Sequence, residues 1–342
     1  MQINIRAISK MAVIALLVGA GSHRAHAGAV ITNPSGTVSL GVNDAGHLNF
    51  TDGILTAPNG AGGAVGVSII DGGVRRDSTS PGCLCEGWGV SGSGVSGYAN
   101  ISTDGGVNNL TVDSFTSTAT TATSTVHVGT LPDLVVTQAY APAAEAPDVL
   151  FRDLVTITNT GAVAITDVRY VRVMDWDVPP TEFAEFVTIA GTASTTLLAR
   201  SHDNGFNTAN PLGGDAPIIG STVDVDFADV GPADHGAYFR FDFGTLAAGE
   251  SKTFSVYYGA GFSEASVLGA LGDVGIELYS LGQSGGGAAT GTPYTYAFGF
   301  KGVGGVVVLP PSGGAVPEPS TYGLIGAAML GAVVYLRRRK NA

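Results

Sequence analysis

Cysteine, lysine and histidine are all scarce in this 342-residue chain. With two cysteines there is no disulfide framework, and two sulfurs alone do not make a four-ligand zinc site. Four histidines, His47, His127, His202 and His235, follow the first 27 residues, and none stands at a zinc-ligand spacing. Lys252 and Lys301 are the two lysines between residues 28 and 319. Seven of the 16 Lys and Arg belong to the two chain ends, which leaves nine against 28 Asp and Glu in residues 28–319, a formal charge near −19. Phosphate binding needs cationic surface, so nucleic acid is excluded as a partner. The acidity either keeps the chain soluble or attracts divalent cations and basic partners.

What is abundant is glycine, 51 residues, together with Ser, Thr, Val and Ala. Short β-rich runs broken by Gly point to a mainly β protein. Residues 28–140 read as an N-terminal β region with Val38–Val42 and Ala64–Ile70 as strands, and Thr111–Val128 is β-branched and free of proline. Ala141-Pro-Ala-Ala-Glu-Ala-Pro147 is a turn or hinge and the candidate boundary. In residues 148–300 the period becomes two: Val223, Val225 and Phe227; Phe239, Phe241 and Phe243; Phe254, Val256 and Tyr258. Val267, Leu271, Val274, Leu278 and Leu281 step by four and three, predicting a helix over 263–281 capped by Ser263 and weakened by Gly269, Gly272 and Gly275 near Asp273. Residues 301–315 form a Gly- and Pro-containing linker.

Both ends carry address information. Arg6 and Lys10, the apolar run Met11–Gly21 and Ala25-His26-Ala27 give the order of a secretory signal peptide over 1–27, a substrate of signal peptidase. At the other end Val316-Pro317-Glu318-Pro319-Ser320-Thr321 precedes the uncharged stretch 322–336, which Arg337, Arg338, Arg339 and Lys340 close. As a helix that stretch spans about 22 Å, short of the roughly 30 Å hydrocarbon core. The basic stop fits the cytoplasmic face and makes it a transmembrane segment, because no polar stripe marks an amphipathic helix.

The set 316–342 resembles the PEP-CTERM sorting signal of Gram-negative bacteria. That resemblance implies export, transient anchoring in the inner membrane, processing near Pro317-Glu318-Pro319 by an exosortase-type enzyme, and association with exopolysaccharide, biofilm or the cell surface. Such tails are also catalogued as ice-binding protein C-terminal domains, a label for the tail that implies no ice binding. A second resemblance is to bacterial Ig-like surface modules. It rests on Ile157-Thr-Asn-Thr-Gly161, Ile165-Thr-Asp-Val168 and Gly244-Thr-Leu-Ala-Ala-Gly-Glu-Ser251. It implies one enlarged β-sandwich or two, since about 75 residues separate the motifs, and it implies no activity.

Three constellations remain. Cys83 and Cys85 are either a disulfide closed by a tight turn, free thiols, or ligands for a metal or covalent partner; on a flat strand they stand too far apart to bridge. Asp175 and Asp177 share one face of a strand end with Trp176 on the other. The trio is a Ca2+ site, a paired-carboxylate hydrolase site, an aromatic sugar platform, or a plain turn with Trp176 in the core. Asp224, Asp226, Asp229 and Asp234 lie within eleven residues and are either Ca2+ ligands, with Asp203-Asn204-Gly205 as a further candidate, or a solvent-facing row. Gly282-Gln-Ser284-Gly-Gly286 follows a predicted helix, the wrong context for a nucleophile elbow, and no catalytic residue is assigned. The sequence therefore reads as a non-catalytic surface or matrix protein. A Ca2+-dependent carbohydrate binder using Trp88 or Trp176 and a secreted hydrolase are the alternatives.

Overall fold

The computed structural model describes residues 28–51, 64–83, 86–99 and 106–309. The expected signal peptide (1–27), Cys85 and the sorting tail with its apolar segment (316–342) lie outside the described residues. Among the described residues no helix is long and apolar enough to cross a membrane.

Alternating side chains dictate sheets with one face buried, and two large antiparallel sheets carry the molecule. The first has nine strands in the spatial order Leu110–Ser117, Ala122–Val128, Leu131–Pro142, Leu150–Asn159, Ser251–Gly261, Thr295–Lys301, Leu278–Gln283, Glu185–Ala190 and Phe227–Ala233. The second has six: Leu198–His202, Gly236–Leu246, Ile165–Asp175, Glu86–Gly92, Val95–Ala99 and Val107–Asn108. Their inner faces meet through aromatic rings. Phe239 and Phe241 of the second sheet lie 5.3 and 4.8 Å from Phe300 of the first, and Tyr170 lies 5.0 Å from Phe254. Offset and edge-on rings at these separations add attraction beyond burial alone. A four-stranded sheet, Gly28–Thr32, Val38–Asn43, Val67–Asp71 and Val74–Asp77, joins the same core. It is tied on by Tyr296 Oη donating to Arg76 O and Tyr294 Oη donating to Asp71 Oδ2, each at 2.8 Å.

One hydrophobic cluster runs from Ile31 to Val303. The segment 143–149 is the turn of a hairpin whose strands pair from Pro142↔Phe151 to Leu134↔Asn159. Each large sheet takes strands from both sides of that turn.

The two Ig-like motifs meet in space. Asn159 Nδ2 donates to Val163 O, Leu246 O and Ala247 O, and its Oδ1 accepts from Gly161 N. One buried amide thus fastens the turn after Leu150–Asn159 to the turn before Ser251–Gly261. Asn159→Ala strands these carbonyls and is expected to cost about 2–3 kcal/mol, read from the urea unfolding midpoint at unchanged m-value.

Two elements differ from the sequence reading. The helix spans Glu264–Asp273, with Ser263 capping it through Ser266 N, and ends far short of 281. Gly275 takes a left-handed φ of 68°; its N–H bonds Gly272 O while Ile276 N–H bonds Leu271 O, the paired bonds of a Schellman end. Leu278 and Leu281 then belong to a strand, where a separation of three puts them on opposite faces. The helix packs Val267, Ala270 and Leu271 over Tyr257, Tyr279 and Ala297 on the outer face of the nine-stranded sheet. The second difference is at Val223–Asp226. This segment follows a 3-10 turn, Gly220–Thr222, and Asp224 has a φ of 54°, so the period-two row there is not a strand.

Between the sheets lies a buried polar network. Arg172 donates to Glu86 Oε1 (2.5 Å), Gln138 Oε1 (2.7 Å), Tyr170 Oη (3.1 Å) and Tyr140 Oη (3.1 Å). Its guanidinium stands 5.2 Å from the Tyr258 ring centre and 3.8 Å from Asp153 Oδ2. The side chains of Arg172, Glu86 and Asp153 are wholly buried.

Candidate functional site: a buried carboxylate cluster

Strand Ile165–Asp175 pairs with Gly236–Leu246 in a register that sets Asp175 opposite Gly236. The chains stay side by side past the ladder, since Trp176 N–H donates to His235 O at 3.3 Å. Two residues on from Asp175 and two back from Gly236, Asp177 and Asp234 are brought together. Carboxylate oxygens of Asp175, Asp177 and Asp234 lie within 4.8 Å of one another. Among the described residues this is the group of acids close enough to share a cation.

The alternation at the strand end sends Trp176 the other way. Its indole is fully buried, donates to Ser280 Oγ at 3.1 Å, and packs 5.7 Å from Phe298 and 6.5 Å from Tyr296. Trp88 is also fully buried and donates to Ala45 O at 2.9 Å. Neither ring offers a face to a sugar, so the aromatic platform expected at Trp88 or Trp176 does not form.

Asp175 and Asp177 are buried and Asp234 is exposed. Asp177 Oδ2 accepts from Gly82 N at 3.0 Å, and a Cβ on residue 82 would come within 2.4 Å of that oxygen, so glycine is required for the approach. Asp177 N–H in turn donates to Ser78 O at 2.7 Å. Cys83 Sγ stands 3.5 Å from Asp175 Oδ2. Cys83 is disulfide-bonded, and Cys85 lies outside the described residues. Glu185, also buried, accepts His235 N–H on Oε1 at 3.0 Å. The remaining oxygens, Asp175 Oδ1, Asp177 Oδ1 and Glu185 Oε2, are buried with no hydrogen-bond partner.

The electrostatics follow from that geometry. Burial, and then the charges of Asp177, Asp234 and Glu185, push Asp175 well above the usual carboxylate range. Burial and the Asp234 charge push Asp177 up to about 7. Burial is also the main cause that takes Glu185 to about 9.

The four acids grouped by sequence do not assemble. Asp224 accepts from Arg200 Nη1 and Ser201 N, both at 2.7 Å. Asp226 accepts from Thr192 N at 2.8 Å and Thr192 Oγ1 at 2.6 Å. Asp229, with a φ of 52°, exchanges hydrogen bonds with Thr188. Each holds a neighbouring loop, and Asp234 alone of the four joins the cluster. Asp203 is a loop hub: it accepts from Ile218 N, Ile219 N, Thr222 Oγ1 and His235 Nδ1, and these bonds hold its carboxyl below its ordinary range despite burial. Sequence reasoning missed Glu185 and Gly82, which carry no spacing signal toward Asp175.

Among the described residues, open clefts of about 330, 340 and 440 Å3 lie on the surface, and Asp175, Asp177 and Asp234 do not line these. The smallest, bounded by Arg76, Pro81, Pro180, Glu182 and Phe183, reaches the residue next to Gly82.

Residues 315–340 match the PEP-CTERM protein-sorting motif. No curated protein matches the chain. Among solved structures, a galactose mutarotase-like protein from Lactobacillus casei ATCC 334 is similar over 84% of this chain and 90% of its own, at 10% identity and a TM-score of 0.27. At that score the likeness carries no argument.

Proposed function

From a chain that carries a PEP-CTERM sorting motif at 315–340, the mark of an exported protein processed by exosortase, we propose a non-catalytic component of the cell surface or extracellular matrix, associated with exopolysaccharide. The motif is the observation that carries the reading. It implies membrane anchoring before processing, at Pro317-Glu318-Pro319 with Arg337, Arg338 and Arg339 as the cytoplasmic stop, and signal peptidase acts at the other end. The cargo is an acidic, sandwich-like β protein. A carbohydrate-binding role through a tryptophan platform loses its basis, because both indoles are inside.

Fractionation tests the reading. Cells making the chain are expected to hold it in the matrix or surface fraction, cleaved after Ala27 and near Pro317. Cells lacking the gene are expected to show altered matrix polysaccharide and weaker biofilm. An unchanged matrix, or a chain confined to the cytoplasm, would overturn it.

A further inference from the structure

Three buried acids in this protein repeat one arrangement. Asp177 has Oδ2 held by Gly82 N–H and Oδ1 free of any partner. Asp175 has Oδ2 beside Cys83 Sγ and Oδ1 free. Glu185 has Oε1 held by His235 N–H and Oε2 free. Burying a carboxylate with an unsatisfied oxygen is costly, and placing several together multiplies the repulsion. The groups acting on Asp175 are again carboxylates, Asp177, Asp234 and Glu185. A folded chain resolves this either with protons or with a cation.

We propose that Asp175, Asp177 and Asp234 bind one divalent cation of the hard, oxygen-seeking class, Ca2+. Asp177 is held in place by the Gly82 N–H on Oδ2, while Oδ1 of both Asp175 and Asp177 is buried and unpartnered. Asp234 is exposed, so the cluster reaches solvent on that side. The donors are oxygen: Cys83 is occupied in a disulfide and His235 Nδ1 by Asp203, which leaves the set unlike a zinc site. Ca2+ tolerates irregular coordination filled out by water, whereas Mg2+ demands a near-octahedral shell. The cation joins the end of strand Ile165–Asp175, the segment after Phe227–Ala233 and, through Gly82, the cysteine loop. This site is independent of the sorting tail, and its failure leaves the surface role standing.

The test uses the purified full-length chain stripped with EDTA and then given CaCl2 or MgCl2. Ca2+ at about 100 times its dissociation constant is expected to raise Tm by about 5 °C, and Mg2+ by less. Tb3+ is expected to luminesce on tryptophan excitation, since Trp176 lies between two ligands in the chain, and Ca2+ to quench that signal. Asp234→Asn, a change at an exposed residue that leaves the fold in place, is expected to weaken Ca2+ at least tenfold, whereas Asp224→Asn leaves the response intact. Asp177→Asn is the stronger variant where it folds. A Tm unmoved by 10 mM Ca2+, or a response lost in Asp224→Asn and retained in Asp234→Asn, would overturn the site.

Discussion

Arg172→Ala is expected to destabilise the protein by about 3–5 kcal/mol, the cost of leaving a buried charge uncompensated. Arg172 is the cation that faces two wholly buried carboxylates, Glu86 and Asp153. Without it Glu86 keeps Leu48 N–H at 2.6 Å and Tyr258 Oη at 3.2 Å but loses the Arg172 charge. Tyr140 Oη and Gln138 Oε1 lose their Arg172 donors in the same step. Arg172→Lys retains the charge and loses the fork that serves Glu86, Gln138 and both tyrosines at once, so a smaller loss, about half, is expected. Adding Glu86→Gln and Asp153→Asn to Arg172→Met removes every charge together and is expected to recover much of the loss, since a neutral buried cluster avoids the desolvation that the ions incur. Urea titrations at pH 7 separate these cases. An Arg172→Ala protein within 1 kcal/mol of wild type would show that the network is stabilised from elsewhere.

The address was legible because targeting signals are linear: residues 315–340 match a sorting motif as one contiguous string. The sheets were legible wherever one face is buried, as at Phe239, Phe241 and Phe243, because period two is the only pattern that keeps such residues inside. The helix was half legible. Its start is written in Ser263, but its apolar steps continue into Leu278 and Leu281, and the left-handed Gly275 decides the end. The acid cluster was visible as halves. Asp175 and Asp177 advertise a shared face by their spacing, and Asp234 appeared within a denser acidic run that drew attention to the wrong partners. What joins the halves is the Asp175↔Gly236 register, a consequence of the whole sandwich that no local window contains. The roughly 75 residues between the Asn159–Val168 and Gly244–Ser251 segments supply Asp175, Asp177, Glu185 and Asp234.

The same buried network should make stability fall as pH rises from about 4 to about 7. Burial takes Asp153 from its ordinary 3.8 to about 7, against the pull of Arg172, with the Glu86 charge pushing it further up. A carboxyl whose folded value exceeds its unfolded value binds its proton more tightly in the native state. Its contribution is therefore complete below about pH 4 and is lost as pH climbs through about 7. Each unit in that window costs about 1.4 kcal/mol, some 4 kcal/mol in all. Glu86 is also raised, with burial as the main cause, as are Asp175, Asp177, Glu185 and Asp234, so the wild-type slope mixes several groups. Asp153→Asn isolates one of them, because the amide fills the same space and does not titrate. Unfolding free energies of both proteins at pH 4, 5, 6 and 7 are expected to diverge, the variant gaining on wild type by up to about 4 kcal/mol at pH 7. A difference that stays constant across the window would mean that Asp153 keeps one protonation state throughout, with Arg172 holding its charge at every pH tested.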